Sequence, residues 1–441
     1  MSIISSSSKS FSPDYVLGKL DDAIYHVKQN IQCYCEDPLK DFTRSRKWDL
    51  VTIVRFLIQM ESKSMKSELC NYFSDVKSLP TDSSLCQQRA KLTPEAIERI
   101  LYLFTRFFHH EKTVKGYYLL AADGSDINIP YIPNDRETIH DMGKNGECSQ
   151  FHINALYDCL NHIYWNIHVD TATRKREADA LKTMIIAHNH PLRSIITADR
   201  GYEGYDLMAC CKENHQKFVF RVKDKDSGSS ILKNCDLPEG EFDVRIQKKI
   251  TRKQTKDIKK QKNKYITLSH SLKFTYLDIT EDFYDMEFRV VRFLLKDGNY
   301  ECLITNLDET EFTMEELREL YELRWQIETS FRKLKYTIGL SNFHSRKRRF
   351  IKQEILARVI FYNLSNIIAL HTDVKEKGKK HVLTFNFTLA VTNIRLYLRG
   401  VFKEAELIRR IKKYLVPIRP DRSYPRNVKP QSLRSFNHRS A

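Results

Sequence analysis

The sequence predicts an α/β core that carries the chemistry, preceded by helices and followed by a basic, mainly helical region. Three patterns predict it. Apolar residues recur at three-and-four spacing up to about residue 115. They form short strand-like runs that alternate with helical ones over 116–223. A further β-like stretch then fills 224–300 before a long helix returns. Strands interleaved with helices indicate a sheet with helices packed on it. The expected organisation is a helical region over 1–115, the first part of the core over 116–223, a β-rich insertion over 224–300, the last part of the core over 301–345 and a basic C-terminal region over 346–441.

Each element has its own signal. DDAIYHVKQNI, LVTIVRFLIQM and PEAIERILYLFTRFFHH carry apolar faces at helical spacing, and the turn-rich DVKSLPTDSS separates the last two. YYLLAAD, FHINALYD and HIYWNIHVD read as strands, the last two joined by a turn around CLN. KREADALKTMIIAH reads as a helix, RSIITAD as a buried strand ending at Asp199, YDLMACCKENH as a helix and KFVFRVK as a strand. The order over the core is thus three strands, helix, strand, helix, strand, with mixed pairing. In the insertion KDKDSGSS and DLPEGEF are turn-rich, while FTYLDI, EFRVVRFLL and ECLITNL are β-like. One helix should then run from a cap at Thr313 to a stop at Gly339.

Composition excludes several classes. The ten cysteines form no CxxC pair, which argues against a zinc ribbon or a disulfide framework and for reduced thiols in a cytoplasm. The opening MSIISSSSKSFSPDY lacks an apolar signal core, and the most apolar later run, Glu354 to Leu370, is interrupted by Arg358 and Asn363, so neither export nor a membrane partner is expected. The net charge of +17 lies entirely in the C-terminal segment: from Ser345 onward there are 23 Lys and Arg against 6 Asp and Glu, and the preceding chain is balanced. Such asymmetry points to a polyanion, and nucleic acid is the obvious one because basic residues release its condensed counterions; the plainer reading is a tail that aids solubility. A compact helical N-terminal unit is compatible with a DNA-reading module or with a structural domain.

The carboxylates carry the chemistry. Asp123 follows YYLLAA and precedes Gly124 and Ser125; Asp199 follows SIITA and precedes Arg200 and Gly201. Both are expected at strand ends, on the rim where α/β sheets bind ligands, although ordinary turn aspartates occur there too. On the helix over YELRWQIETSFRKLK, Tyr321, Arg324, Glu328 and Lys335 share one arc, beside a packed arc of Leu323, Ile327, Phe331 and Leu334. Glu328 alone could be a surface acid paired with Arg332 four residues on. Together, two strand-end aspartates and Glu328 can hold two hard divalent cations through oxygen ligands, with Arg324, Lys335 and Tyr321 positioning phosphate oxygens. Trp325 is expected to pack, Asp126 to be an exposed turn acid, and His152 and His162 to be satisfied sheet histidines. The basic run Lys248 to Lys264 could clamp DNA or be a solvated loop.

The spacing Y-x2-R-x3-E-x6-K, realised as Tyr321, Arg324, Glu328 and Lys335, resembles the signature of DDE transposases of the insertion-sequence-four family. DGS at Asp123, DRGY at Asp199, FHINALYD and SSLCQQRAKL are similar to family sequence as well, so the resemblance covers about residues 40–345. It implies a ribonuclease-H-like core with a β-rich insertion before the last acid. It also implies catalysis by Asp123, Asp199 and Glu328 with two Mg2+ ions, for which Mn2+ can substitute, and binding to double-stranded DNA at terminal inverted repeats and at the target. A homodimer in the DNA complex and a bacterial, nucleoid-associated setting follow from the same resemblance. Two alternatives stay open: a metal-dependent DNA nuclease without strand transfer, and a silent DNA-binding regulator derived from a transposase.

Overall fold

The computed structural model describes residues 4–418 apart from 7–9, 45, 74, 76, 78, 109–111, 144–145, 175, 188–192, 270, 278–281 and 373–381. Five helices open the chain: α1 (Pro13–Gln29), α2 (Leu50–Gln59), α3 (Met65–Tyr72), α4 (Asp82–Arg89) and α5 (Pro94–Arg106). Side-chain caps start four of them, Ser12, Asp49, Ser64 and Thr81 each accepting a backbone N–H of the first turn. Helices α3 and α4 bury few apolar residues and so left little periodic signal in the sequence.

Two small strands, β1 (Ile4–Ser6) and β2 (Lys112–Val114), pair with each other. The main sheet follows, from β3 (Tyr118–Ile129), β4 (Ile139–Asp141), β5 (Glu147–Asp158), β6 (Ile163–Thr171), β7 (Ser194–Ala198), β8 (Lys217–Val222), β9 (Phe242–Thr251), β10 (Tyr265–Thr267), β11 (Tyr284–Leu294) and β12 (Tyr300–Thr305). These ten strands run in the order β10-β9-β11-β12-β8-β7-β3-β5, with β4 and β6 both on β5. Strand β3 is antiparallel to β5 and parallel to β7, and β7 is parallel to β8. The expected α/β class with mixed pairing is therefore what forms.

The β-like segments of 224–300 extend this same sheet, because β12 zips antiparallel onto β8 and carries β11, β9 and β10 outward. Of FTYLDI, residues 274–277 form no strand, and 278–279 lie outside the described residues. Phe274 is instead a buried plug under α7 (Tyr205–Glu213), where Asp206 holds Thr275 through its backbone N–H at 2.7 Å. The basic run is anchored: the Lys248 ammonium donates to the carbonyls of Lys262 at 2.7 Å and Asn263 at 2.6 Å, and α8 (Lys256–Lys260) fills its middle.

Period two along β3 divides the core. Leu119, Ala121 and Ile127 face one apolar cluster, which they share with α1, α2 and α5. Tyr118, Leu120 and Ala122 face a second, closed by α6 (Glu177–Ala187) and α7. The first side also takes α9 (Met314–Leu323), α10 (Trp325–Arg332), a π-helical turn at Lys333–Ile338, and α11 (Arg348–His371), α12 (Phe387–Leu398) and α13 (Glu404–Lys413). Two short strands, β13 (Leu383–Phe385) and β14 (Leu415–Pro417), pair beside them.

Within the basic C-terminal region, helix α11 is a core element. Nineteen of its 24 residues are buried, among α2, α5 and β6. Its Asn363 side chain accepts from the Tyr164 backbone N–H at 2.8 Å and donates to the Tyr164 carbonyl at 2.9 Å, which satisfies the exposed edge of β6. Its Glu354 is held by Arg89 at 3.1 Å and His344 at 3.2 Å. Burial alone would raise that carboxyl, but Arg89, His344 and Arg358 keep it at about 2. Arg358 and Arg395 are buried and spend their charge inside the fold. Residues 419–441 lie outside the described residues.

Candidate active site

Asp123 and Asp199 are brought together by strand register. The parallel pairing of β3 with β7 ends at Ala122 opposite Ala198, so the two aspartates are the next residues on neighbouring strands, and alternation turns both toward the side of α10. Asp199 ends its strand as expected and caps the short turn Arg200–Tyr202, accepting from the Gly201 N–H at 2.8 Å. Asp123 departs from expectation. It lies in the middle of β3, which runs on to Ile129 because β5 continues to pair with it; its carboxylate accepts from the Gly124 N–H at 2.8 Å.

Glu328 arrives from the opposite direction. Thr313 and Glu316 form a reciprocal capping box at the start of α9, and Gly339 ends the whole segment with φ +95°, as the sequence suggested. Between them the helix is not continuous. It breaks at Arg324, where the backbone closes onto Tyr321 and Ile327 closes onto Arg324 with tighter three-residue bonds, and it widens into the π turn that carries Lys335. Ile327, Phe331 and Leu334 are buried against the sheet, worth about 2 kcal/mol each, and fix which way α10 faces. Ser330 Oγ lies 2.9 Å from the Tyr164 hydroxyl, anchoring α10 to β6.

Arg324 links the acids. Its guanidinium, only 4% exposed, lies 3.2 Å from Glu328 Oε1 and 4.0 Å from Asp123 Oδ2. Glu328 thus pairs with Arg324 and not with Arg332. Burial pushes the Asp123 carboxyl up to about 7; the Gly124 N–H and Arg324 oppose this, and the charges of Asp199 and Glu328 add to it. Asp199 and Glu328 thus both lie near enough to Asp123 for their charges to act on it. Lys335 donates to the Asp126 carbonyl at 2.7 Å, and burial lowers its pKa while Asp126 and Asp123 pull it back up. Tyr321 is buried, its ring beneath Arg324 at 5.6 Å. Trp325, expected to pack, is 49% exposed with its ring 4.7 Å from Arg324. As placed, no three His, Cys, Asp or Glu side chains among the described residues stand close enough to hold one ion, since the guanidinium separates Asp123 from Glu328.

The other candidates separate. Asp126 is a strand residue whose carboxylate lies 2.7 Å from His152 Nδ1, and His152 is wholly buried in β5. His162 lies in the turn before β6 with φ +54°, and burial, with Lys333 and Lys112, lowers its pKa to about 4. One neighbour had no signal of its own in the sequence: Glu177, the first residue of α6, 3.3 Å from His152 Nε2. The glycine of DGS was the available hint, because a glycine inside a strand marks a close approach.

The geometry coincides with a family match: residues 114–364 fit the transposase DDE domain. The chain belongs to that family. All six candidate residues lie inside the match, which runs on into α11, beyond residue 345. No curated protein matches the chain. Among solved structures it is similar to the chain in the cryo-EM structure of the piggyBac transposase synaptic complex with hairpin DNA, with 12% identity and a TM-score of 0.42 over 90% of this chain and 81% of that one. No helix of the described part of this transposase-family chain is long and apolar enough to cross a membrane.

Proposed function

We propose that the chain is a DNA transposase of the insertion-sequence-four type that binds the terminal inverted repeats of its element, hydrolyses the phosphodiester at each end, and joins the released 3′-OH to target DNA. The observation that supports this best is the convergence of the acids: the β3–β7 register makes Asp123 and Asp199 neighbours, and Arg324 lies between Asp123 and Glu328, with Lys335 held on β3 beside them. The strand order β6-β5-β3-β7-β8, three antiparallel strands followed by two parallel ones, supports reading the core as ribonuclease-H-like.

The donor set fits a hard divalent cation, Mg2+ with Mn2+ as a substitute. It offers only carboxylate oxygens; burial chiefly, with the charges of Asp199 and Glu328 adding to it, raises the Asp123 carboxyl, and a cation would relieve both. Two-metal chemistry at such a set supplies an activated water and stabilises the leaving oxygen. The protein's part is placement. Asp123, Asp199 and Glu328 supply the ligands, and a turn of the Arg324 side chain frees Asp123 and Glu328 and carries its two-pronged guanidinium to a phosphate. Lys335 adds a second positive group on the β3 side. Water attacks phosphorus, the P–O3′ bond breaks, and the 3′ oxygen leaves as a hydroxyl. In the second step that hydroxyl attacks a target phosphodiester and a target 3′-OH leaves. An element has two ends, so a homodimer supplies one acid set for each. Ten free cysteines accord with a reducing cytoplasm.

The test incubates purified protein with Mg2+, DNA bearing the ends that flank its gene, and target DNA. Cleavage and joined product are expected from the wild type, while Asp123→Ala, Asp199→Ala and Glu328→Ala abolish cleavage and leave end binding within a few-fold. Cleavage without joining would make it a nuclease, and binding without cleavage a regulator.

A further inference from the structure

We propose that Glu177 is a fourth carboxylate of the cation site, held by His152 and Asp126 on the face of β3 opposite Glu328, and that it tightens divalent-cation binding beside Asp199. The inference rests on the reading of Asp123, Asp199 and Glu328 as cation ligands.

Two glycines make room for it. A β-carbon on Gly124, the residue after Asp123, would lie 2.6 Å from Glu177 Oε1 and 2.5 Å from His152 Nε2. A β-carbon on Gly201, two residues after Asp199, would lie 3.1 Å from Asp199 Oδ1 and 3.6 Å from Glu177 Oε2. The two oxygens of one carboxylate therefore face the backbone behind each aspartate, and Glu177 and Asp199 both come within 3.6 Å of a single point. At Gly124 any side chain would overlap Glu177 and His152, which gives DGS its glycine a steric reason, while at Gly201 a β-carbon would press on the Asp199 carboxylate and touch Glu177.

The carboxylate is also held in place. Helix α6 sets Glu177 at its first residue, in contact with β3, β5 and the turn Arg200–Tyr202. His152, fully buried, stands between it and Asp126, at 3.3 Å and 2.7 Å. Asn154, opposite Gly124 in register and on the same face of β5 as His152, is fully buried, and neither its amide oxygen nor its nitrogen has a hydrogen-bond partner among the described residues. A buried amide left open next to a histidine and a carboxylate indicates a polar pocket completed from outside the chain. Glu177 itself is 26% exposed, so the pocket opens to solvent.

The test is Mn2+ binding to the full chain without DNA, read by electron paramagnetic resonance of the free ion, so that catalysis plays no part in it. Glu177→Gln keeps size and polarity and should weaken binding about 10-fold, with Glu177→Asp in between and Asp199→Asn weaker still. Circular dichroism confirms folding; should the Gln variant unfold, the charge-retaining Asp variant carries the comparison. Weakened binding in either folded Glu177 variant supports the proposal. Wild-type binding in the folded Glu177 variants, with loss in Asp199→Asn, overturns it and leaves the three-acid reading intact. Binding unchanged in Asp199→Asn, Asp123→Asn and Glu328→Gln alike overturns both.

Discussion

The Asp123 carboxyl should make the cation-free protein less stable as pH rises. Its pKa goes from 3.8 in an unfolded chain to about 7 in the fold, chiefly through burial. A raised carboxyl binds its proton more tightly when folded, so its contribution is fully present below about pH 4 and is lost as pH rises through 7. The span between the two values corresponds to about 4 kcal/mol, and with the side chain only 19% exposed little of this is screened away. Asp123→Asn cannot ionise and should escape the loss. At pH 8 with EDTA it should melt above the wild type by about 4 °C, taking roughly 2 cal/mol/K of unfolding entropy per residue, and at pH 4 the two should melt together. Differential scanning calorimetry at both pH values decides it. Equal melting at pH 8, or a gain of the same size at pH 4, would refute the burial argument for this carboxyl.

Three further outcomes follow from the same contacts. Lys335→Ala should lower end cleavage about 10–1000-fold with little change in the Mg2+ concentration for half-maximal rate, whereas Glu328→Asp should shift that concentration; cation titrations of the two variants read the difference. Removing residues 419–441, which hold six Lys and Arg, should flatten the slope of log affinity against log salt by up to about 5, measured by fluorescence anisotropy on end DNA. Arg89→Ala leaves Glu354 buried beside weaker partners and should cost about 3–5 kcal/mol in denaturant unfolding, with no role for DNA or cation.

The sequence made plain what local rules govern. Thr313 and Gly339 bound the acidic helix because a cap and a left-handed stop are local requirements, and the SIITA run announced the strand that delivers Asp199. What escaped depends on partners distant in the chain. Asp123 looked terminal because DGS reads as a turn, yet β5 holds β3 extended through it. The break at Arg324 answers to two carboxylates, one of them 201 residues away on β3, and leaves Trp325 at the surface where periodicity expected packing. Helix α11 showed its apolar run from Glu354 to Leu370, but Arg358 and Asn363 interrupt it, and only their partners Glu354, Glu61 and Tyr164 show why they can lie in a core. Glu177 gave no signal, since an acid in a helical first turn is ordinary.

Helix α11 also sets an order on biosynthesis. Helices α1, α2 and α5 are made within the first quarter of the chain, but the buried face they pack against is made only when residues 348–371 have been translated. At synthesis rates of about 5–20 residues per second, α2 waits roughly 15–60 s on the ribosome for that surface. Glu328 precedes it by only 20 residues. The three acids and the helical layer behind them are thus completed almost together, late in synthesis, so a nascent chain stalled in the insertion has neither a closed core nor Glu328 to set beside Asp123 and Asp199.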